Sequence, residues 1–88
     1  MNNQDMAEQI CCATYKAGSL EIKASLCARY VGIALAYIVI LEQQGESTEC
    51  ALGSDPEQAR RLFFDVVFGG VTACTLHDIV EDRMGTLF

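Results

Sequence analysis

The chain of 88 residues contains no tryptophan, one proline and one histidine, and its five cysteines include no Cys-x-x-Cys pair. The lone histidine and the missing paired spacing leave a closed zinc site without a recognisable ligand set. One proline in a sequence that is 51% hydrophobic excludes a collagen-like, low-complexity or disordered chain and argues for a globular one. Basic residues are also scarce. Six Lys and Arg face twelve Asp and Glu, and a net charge of −6 is the wrong sign for neutralising phosphates, so nucleic acid is not an expected partner. An odd number of cysteines, Cys11, Cys12, Cys27, Cys50 and Cys74, disfavours a disulfide framework. The first eight residues lack the cationic and apolar regions of a secretory signal. Both features point to a reducing compartment, the cytoplasm, where a buried thiol behaves as a small hydrophobe. Long apolar runs are missing too: residues 24–41 contain Arg29, and the uninterrupted stretch 30–41 spans twelve residues, too few to cross a bilayer as a helix. A membrane location is therefore not expected. At this length we expect a single domain over residues 1–88, with residues 1–7 disordered.

What the chain does contain is two kinds of hydrophobic period. Leu20, Ile22, Ala24, Leu26, Ala28 and Tyr30 alternate with Glu21, Lys23, Ser25, Cys27 and Arg29, which is the period of a half-buried strand. The run Tyr37, Ile38, Val39, Ile40, Leu41 is β-branched and aromatic and predicts a strand buried on both faces. Gln43, Gln44, Gly45 and Glu46 form a tight turn into a short returning strand over residues 47–52. Residues 8–15 are a further strand that turns at Ala17, Gly18 and Ser19.

The last third changes period. Asp55 before Pro56 is a capping residue followed by proline at the first helical position, where the missing N–H costs nothing. Ala59, Leu62, Phe63, Val66 and Val67 then make one helical stripe, ended by Gly69 and Gly70. A second helix starts near Thr72 or Thr75, turns Leu76, Ile79, Val80 and Met84 inward, and stops at Gly85. The expected fold is α+β, an antiparallel meander of three or four strands covered by two C-terminal helices. The alternative is an all-α bundle in which residues 19–44 form one long helix bent near Gly32.

Residues 37–84, from the strand opening at Tyr37, through Ser54-Asp55-Pro56-Glu57-Gln58-Ala59-Arg60-Arg61-Leu62 and Gly69-Gly70-Val71-Thr72, to Thr75-Leu76-His77-Asp78-Ile79-Val80-Glu81-Asp82, resemble a family of small bacterial proteins known only as a domain of unknown function. Ile38 stands where that family usually has glycine. The resemblance implies an α+β fold and brings no activity.

Few residues offer chemistry. Cys74, His77 and Glu81 lie at i, i+3 and i+7 on the second helix, and with Cys50 would make a metal set. More simply, the His77 ring donates to Glu81 or to a backbone carbonyl. Cys74 in the first helical turn would gain thiolate character from the helix dipole, but Asp78 and Glu81 oppose it. Cys11 and Cys12, adjacent on a strand, point to opposite faces. Gly69-Gly70-Val71-Thr72 lacks the lysine of a phosphate loop, and Asp78, Glu81 and Asp82 fall on an outward arc. No catalytic residue, cofactor or metal site is therefore expected.

Phe64 and Phe68 are different. They share a helical arc with Glu57, Arg60 and Arg61, roughly opposite the core stripe, so the first helix is apolar on two sides. Exposed aromatics beside arginine are the composition of interface anchors. The competing reading makes Phe68 a hydrophobic contact of the helix cap beside Gly69. The expectation is a non-catalytic interaction or regulatory module, a homo-oligomer and most simply a dimer, or a binder of another protein, with Phe64, Phe68, Arg60 and Arg61 at the interface. Two other classes stand beside it: a small acidic inhibitor or decoy of a basic partner, and a thiol- or metal-dependent enzyme or sensor using Cys74 and His77.

Overall fold

Alternation of apolar and polar side chains, interrupted by two-residue turns, builds a four-stranded antiparallel sheet in which every strand pairs with its sequence neighbour. The computed structural model describes residues 8–85, without the side chains of the last two. The strands are β1 (Glu8–Ala17), β2 (Leu20–Val31), β3 (Ala34–Gln43) and β4 (Glu46–Gly53), followed by α1 (Pro56–Gly69) and α2 (Ala73–Gly85). This is the expected α+β meander, and residues 19–44 form two strands where the all-α alternative required a helix. Residues 1–7, expected to be disordered, and the inward side chain expected for Met84 lie outside the described residues.

Each hairpin closes on a two-residue loop, as the pairs Ala17↔Leu20, Val31↔Ala34 and Gln43↔Glu46 show. Gln44 and Gly45 both have positive φ, 52° and 80°, as a type I′ turn requires. At Gly32, φ is 67°, a backbone open to glycine and strained for Val or Ile, so the central hairpin turns at this residue.

Period two sorts the side chains. Ile22, Ala24 and Leu26 on β2, Val39 and Leu41 on β3, and Cys50 and Leu52 on β4 join Ala59, Leu62, Phe63 and Val66 of α1 and Val71, Leu76 and Val80 beyond it in one core. Both helices therefore lie on one face of the sheet, and the molecule is a slab of 39 × 39 × 18 Å, two layers deep.

Local chemistry places the helices. Asp55 accepts a hydrogen bond from the Glu57 N–H at 3.0 Å, capping α1, and Pro56 follows it. At the other end Gly70 is left-handed, its N–H reaches Val67 O (3.3 Å), and the Val71 N–H reaches Val66 O (3.2 Å). These two bonds make a Schellman motif, whose hydrophobic partners are Val71 and Val66, both buried. The expected stripe is confirmed in Ala59, Leu62, Phe63 and Val66, with Val67 packed at its margin. Tyr15 donates to Val71 O at 2.7 Å, and Gln43 Oε1 accepts from the Ala73 N–H at 3.2 Å, so the sheet fixes the linker and the start of α2.

Among the described residues the face away from the helices has no second layer, yet Ser25, Cys27 and Ile38 on it are buried. Ser25 and Cys27 were expected on the polar side of a half-buried β2, and their burial is a correction with a local cause; Ile38 belongs to the β3 run expected to be buried on both faces. Cys27 is directly opposite Ile38, and Arg29 Nη2 reaches Glu49 Oε1 (3.2 Å) from β2 across β3 to β4. The bridge roofs this small patch with two long side chains whose apolar stems cover it. Half-exposed as it is, it adds little electrostatic stability.

Beyond the pairs Glu8↔Ala28 and Tyr37↔Gly53, residues 29–36 of β2 and β3 have no further strand beside them among the described residues. They form a two-stranded finger about 13 Å long at the usual rise per residue.

Candidate functional site

The helical period puts Phe64 and Phe68 one turn apart on α1, away from the stripe that meets the sheet, and both are exposed, at 46% and 82%. Their rings stack with centroids 5.9 Å apart, and Phe64 also leans on the buried Phe63 at 6.2 Å. The exposed pair is thus held in register by a core residue. Since Val71 and Val66 supply the hydrophobic partners of the cap, Phe68 is not a cap contact.

Arg60 and Arg61 precede these rings by one turn and, among the described residues, make no ion pair. The α1 residue in an ion pair is Asp65, which meets Arg83 of α2 at 3.6 Å. Arg60 lies close enough to Cys11 on β1 for its positive charge to oppose the rise that burial imposes on that thiol. Arg61 is turned the other way, lining shallow depressions with Gln58, Asp55 and Glu57 on one side and Asp82 and Arg83 on the other. The two arginines therefore flank the aromatic arc on opposite sides.

A second apolar surface escaped the sequence reading, which put Tyr30 on the inward side of a half-buried strand and took the apolar run 30–41 for a buried strand or core helix. Tyr30 is 71% exposed, Val31 63% and Ile33 99%, on a finger that has no neighbouring strand among the described residues. Ile33 occupies the turn itself, where Asn, Gly and other polar residues are usual. The signal in the sequence was an apolar run too long for one buried strand and interrupted by glycine.

The cysteine and histidine candidates are not brought together. Cys74 is exposed, Cys50 is buried, and the His77 Nε2–H donates to Glu49 O of β4 at 3.2 Å, the backbone-carbonyl option. Among the described residues no three His, Cys, Asp or Glu side chains are placed to hold a metal ion. All five thiols are free, Cys11 half-buried and Cys12 exposed as adjacent strand positions require. Burial raises the pKa of Cys11, Cys27 and Cys50, with Glu81 adding to the rise at Cys50, so these thiols stay protonated and weakly nucleophilic at neutral pH.

The acidic side chains are spread, with Glu42 and Glu46 at one end of the sheet, Asp55 and Glu57 at the other, and Asp78, Glu81 and Asp82 on α2. Concave surfaces among the described residues are shallow and lined mainly by polar side chains; one, on the roofed face, is lined by residues such as Thr14, Glu21, Lys23 and Glu42. Among the described residues no helix is long and apolar enough to cross a membrane. Comparison of the chain with protein-family models, curated proteins and solved structures finds no match.

Proposed function

We propose that this protein is a small non-catalytic interaction module of the cytoplasm that self-associates, most simply as a homodimer, through Phe64 and Phe68 with Arg60 and Arg61 beside them. The observation that carries the reading is the 82% exposed Phe68 stacked on Phe64. A ring already fixed by its neighbours loses less rotamer freedom when covered, so more of its burial appears as affinity. Covering two phenylalanines contributes about 1.5–3 kcal/mol each, enough to bias a monomer toward association. The arginines then find carboxylates of the second chain, which sets orientation and excludes wrong partners more than it adds affinity. Five free thiols support the reducing compartment.

The acidic-inhibitor reading needs one concentrated negative face, and the spread of the carboxylates lends it no support. The reading centred on Cys74 and His77 needs a concave site between them, and the ring of His77 is turned to the β4 carbonyl.

Light scattering and circular dichroism test the proposal with the double variant Phe64→Ser, Phe68→Ser. Wild type is expected to be oligomeric, and the variant a monomer with unchanged secondary structure. A wild type that stays monomeric at high concentration overturns the reading, as does a variant that unfolds because the rings were supporting the core.

A further inference from the structure

We propose that the second copy joins at the edge of β1, so that two sheets pair as one of eight strands while the aromatic rows of two α1 helices meet above the seam. This rests on the self-association proposed above and names the surface through which it occurs.

The core is closed at one edge of the sheet and open at the other. At the β4 edge the inward residues Cys50 and Leu52 are buried, and α2 packs over β3 and β4. At the β1 edge the inward residues Cys11, Ala13 and Tyr15 are only half-buried, although Leu26, Ala24 and Ile22 directly opposite them are buried almost completely. Among the described residues no strand lies outside β1, and α2 does not reach it. The backbone groups that alternate along that outer side therefore have no strand partner. Past the bulge between Gln9 and Cys11, residues 11–17 pair regularly with β2 and carry one charge, Lys16.

The aromatic row stands over the same edge. α1 crosses the sheet from the end of β4 to β1, where Val71 O accepts from the Tyr15 hydroxyl. One flank of α1 meets α2 through Asp65 and Arg83, and the other brings Arg60 within electrostatic reach of Cys11. Phe64 and Phe68 follow Arg60 at one-turn intervals, so the row rises from the β1 flank to the outer surface.

A second copy fits both layers at once, whereas an extended peptide of another protein would pair with the strand and leave the rings uncovered. A two-fold axis normal to the sheet and passing through Thr14 pairs residues 11–17 with themselves, Cys11 opposite Ala17 and Thr14 opposite Thr14. Only that register uses the whole bulge-free stretch. The same axis makes the two α1 helices antiparallel. Arg60 is then carried away from its counterpart and toward the C-terminal end of the other α1, whose last turn has no basic residue of its own. At the usual rise seven residues of edge span about 23 Å, and a slab 18 Å thick then gives a flat section of roughly 400 Å² a copy. That is the low end of specific interfaces, so the dimer dissociates on dilution.

Amide hydrogen exchange and charged variants test this. Exchange of the wild type is followed by NMR below and above the concentration at which sedimentation shows the dimer. About half the amides of residues 11–17, those aimed away from β2, are expected to slow by about 10-fold or more in the dimer, and those of β4 to stay. Thr14→Lys and Thr14→Glu, each checked by circular dichroism, are expected to weaken self-association by about 5-fold, and their equimolar mixture to recover it, because opposite charges then meet across the axis. A dimer in which residues 11–17 exchange as in the monomer overturns the inference, as do Thr14 variants that dimerise like the wild type. If Phe64→Ser, Phe68→Ser is monomeric in either case, the helices meet without the strands and the self-association reading stands. If that double variant stays dimeric with residues 11–17 still slowed, the edges pair without the rings and the reading fails. A wild type that stays monomeric overturns both and leaves the edge to a strand of another protein.

Discussion

The two halves of β2 have the same alternation and opposite fates. Ile22, Ala24 and Leu26 are buried almost completely, while Tyr30, next but one in the same series, is 71% exposed. Residues 22–26 have β1 and β3 on either side and the helices above, whereas, among the described residues, 29–31 have β3 alone. Alternation decides which way a side chain points. Burial depends on how many neighbours the topology delivers, and the finger lies beyond the described pairs of β1 and β4.

The first way to test the contrast is by substitution in the body. Leu41→Ala removes a fully buried side chain under both helices, and chemical denaturation is expected to show a loss of about 2–5 kcal/mol, the transfer and cavity terms together. A loss below about 1 kcal/mol would mean that the covered half of the sheet is no better packed than the finger.

A smaller effect separates the linker attachment from the finger. Tyr15→Phe deletes the hydroxyl that donates to Val71 O, with an expected cost of about 0.5–1.5 kcal/mol. The same hydroxyl has a pH signature. Burial raises the pKa of Tyr15, and of the thiols Cys27 and Cys50, in the folded state. The unfolded chain therefore releases these protons first as pH rises. Stability from these groups is complete below the unfolded thiol range near pH 8.5 and falls as pH climbs through the thiol and then the tyrosine range, near pH 10. In Tyr15→Phe the upper part of that decline is expected to shrink; an unchanged profile would show that Tyr15 does not contribute to it.

The smallest expected effect sharpens the comparison most. Ile33→Ser, at a fully open turn position, is expected to leave thermodynamic stability within about 0.5 kcal/mol at concentrations where the chain is monomeric. A large loss there would mean that Ile33 packs within its own chain, and the finger would then be part of the body.

Much of the architecture was legible because the signals were local and mutually consistent. Asp55 before Pro56, and Gly69 with Gly70 after a helical stripe, marked both ends of α1, and Gln44-Gly45 marked the last hairpin. The exposure of Phe64 and Phe68 was legible too, since the period of a helix fixes which residues stand opposite its buried stripe. The finger was not, because an apolar run reads the same whether neighbouring strands cover it or fall short of it. Ser25 and Cys27 were misread for a related reason: their cover is an ion pair between residues 20 apart, Arg29 and Glu49.

By itself the sequence determined the elements, their order, the face each side chain takes and the caps and turns between them, all consequences of steric and hydrogen-bonding preferences over a few residues. Only the tertiary structure decided that the helices share one face of the sheet, that the Arg29–Glu49 bridge covers a small patch of the other, that His77 is turned to the Glu49 carbonyl, and that β2 and β3 extend beyond the described pairs of their neighbours. Those outcomes depend on where distant strands end relative to one another, a quantity set by pairing register and packing of the whole slab and carried by no short stretch of chain.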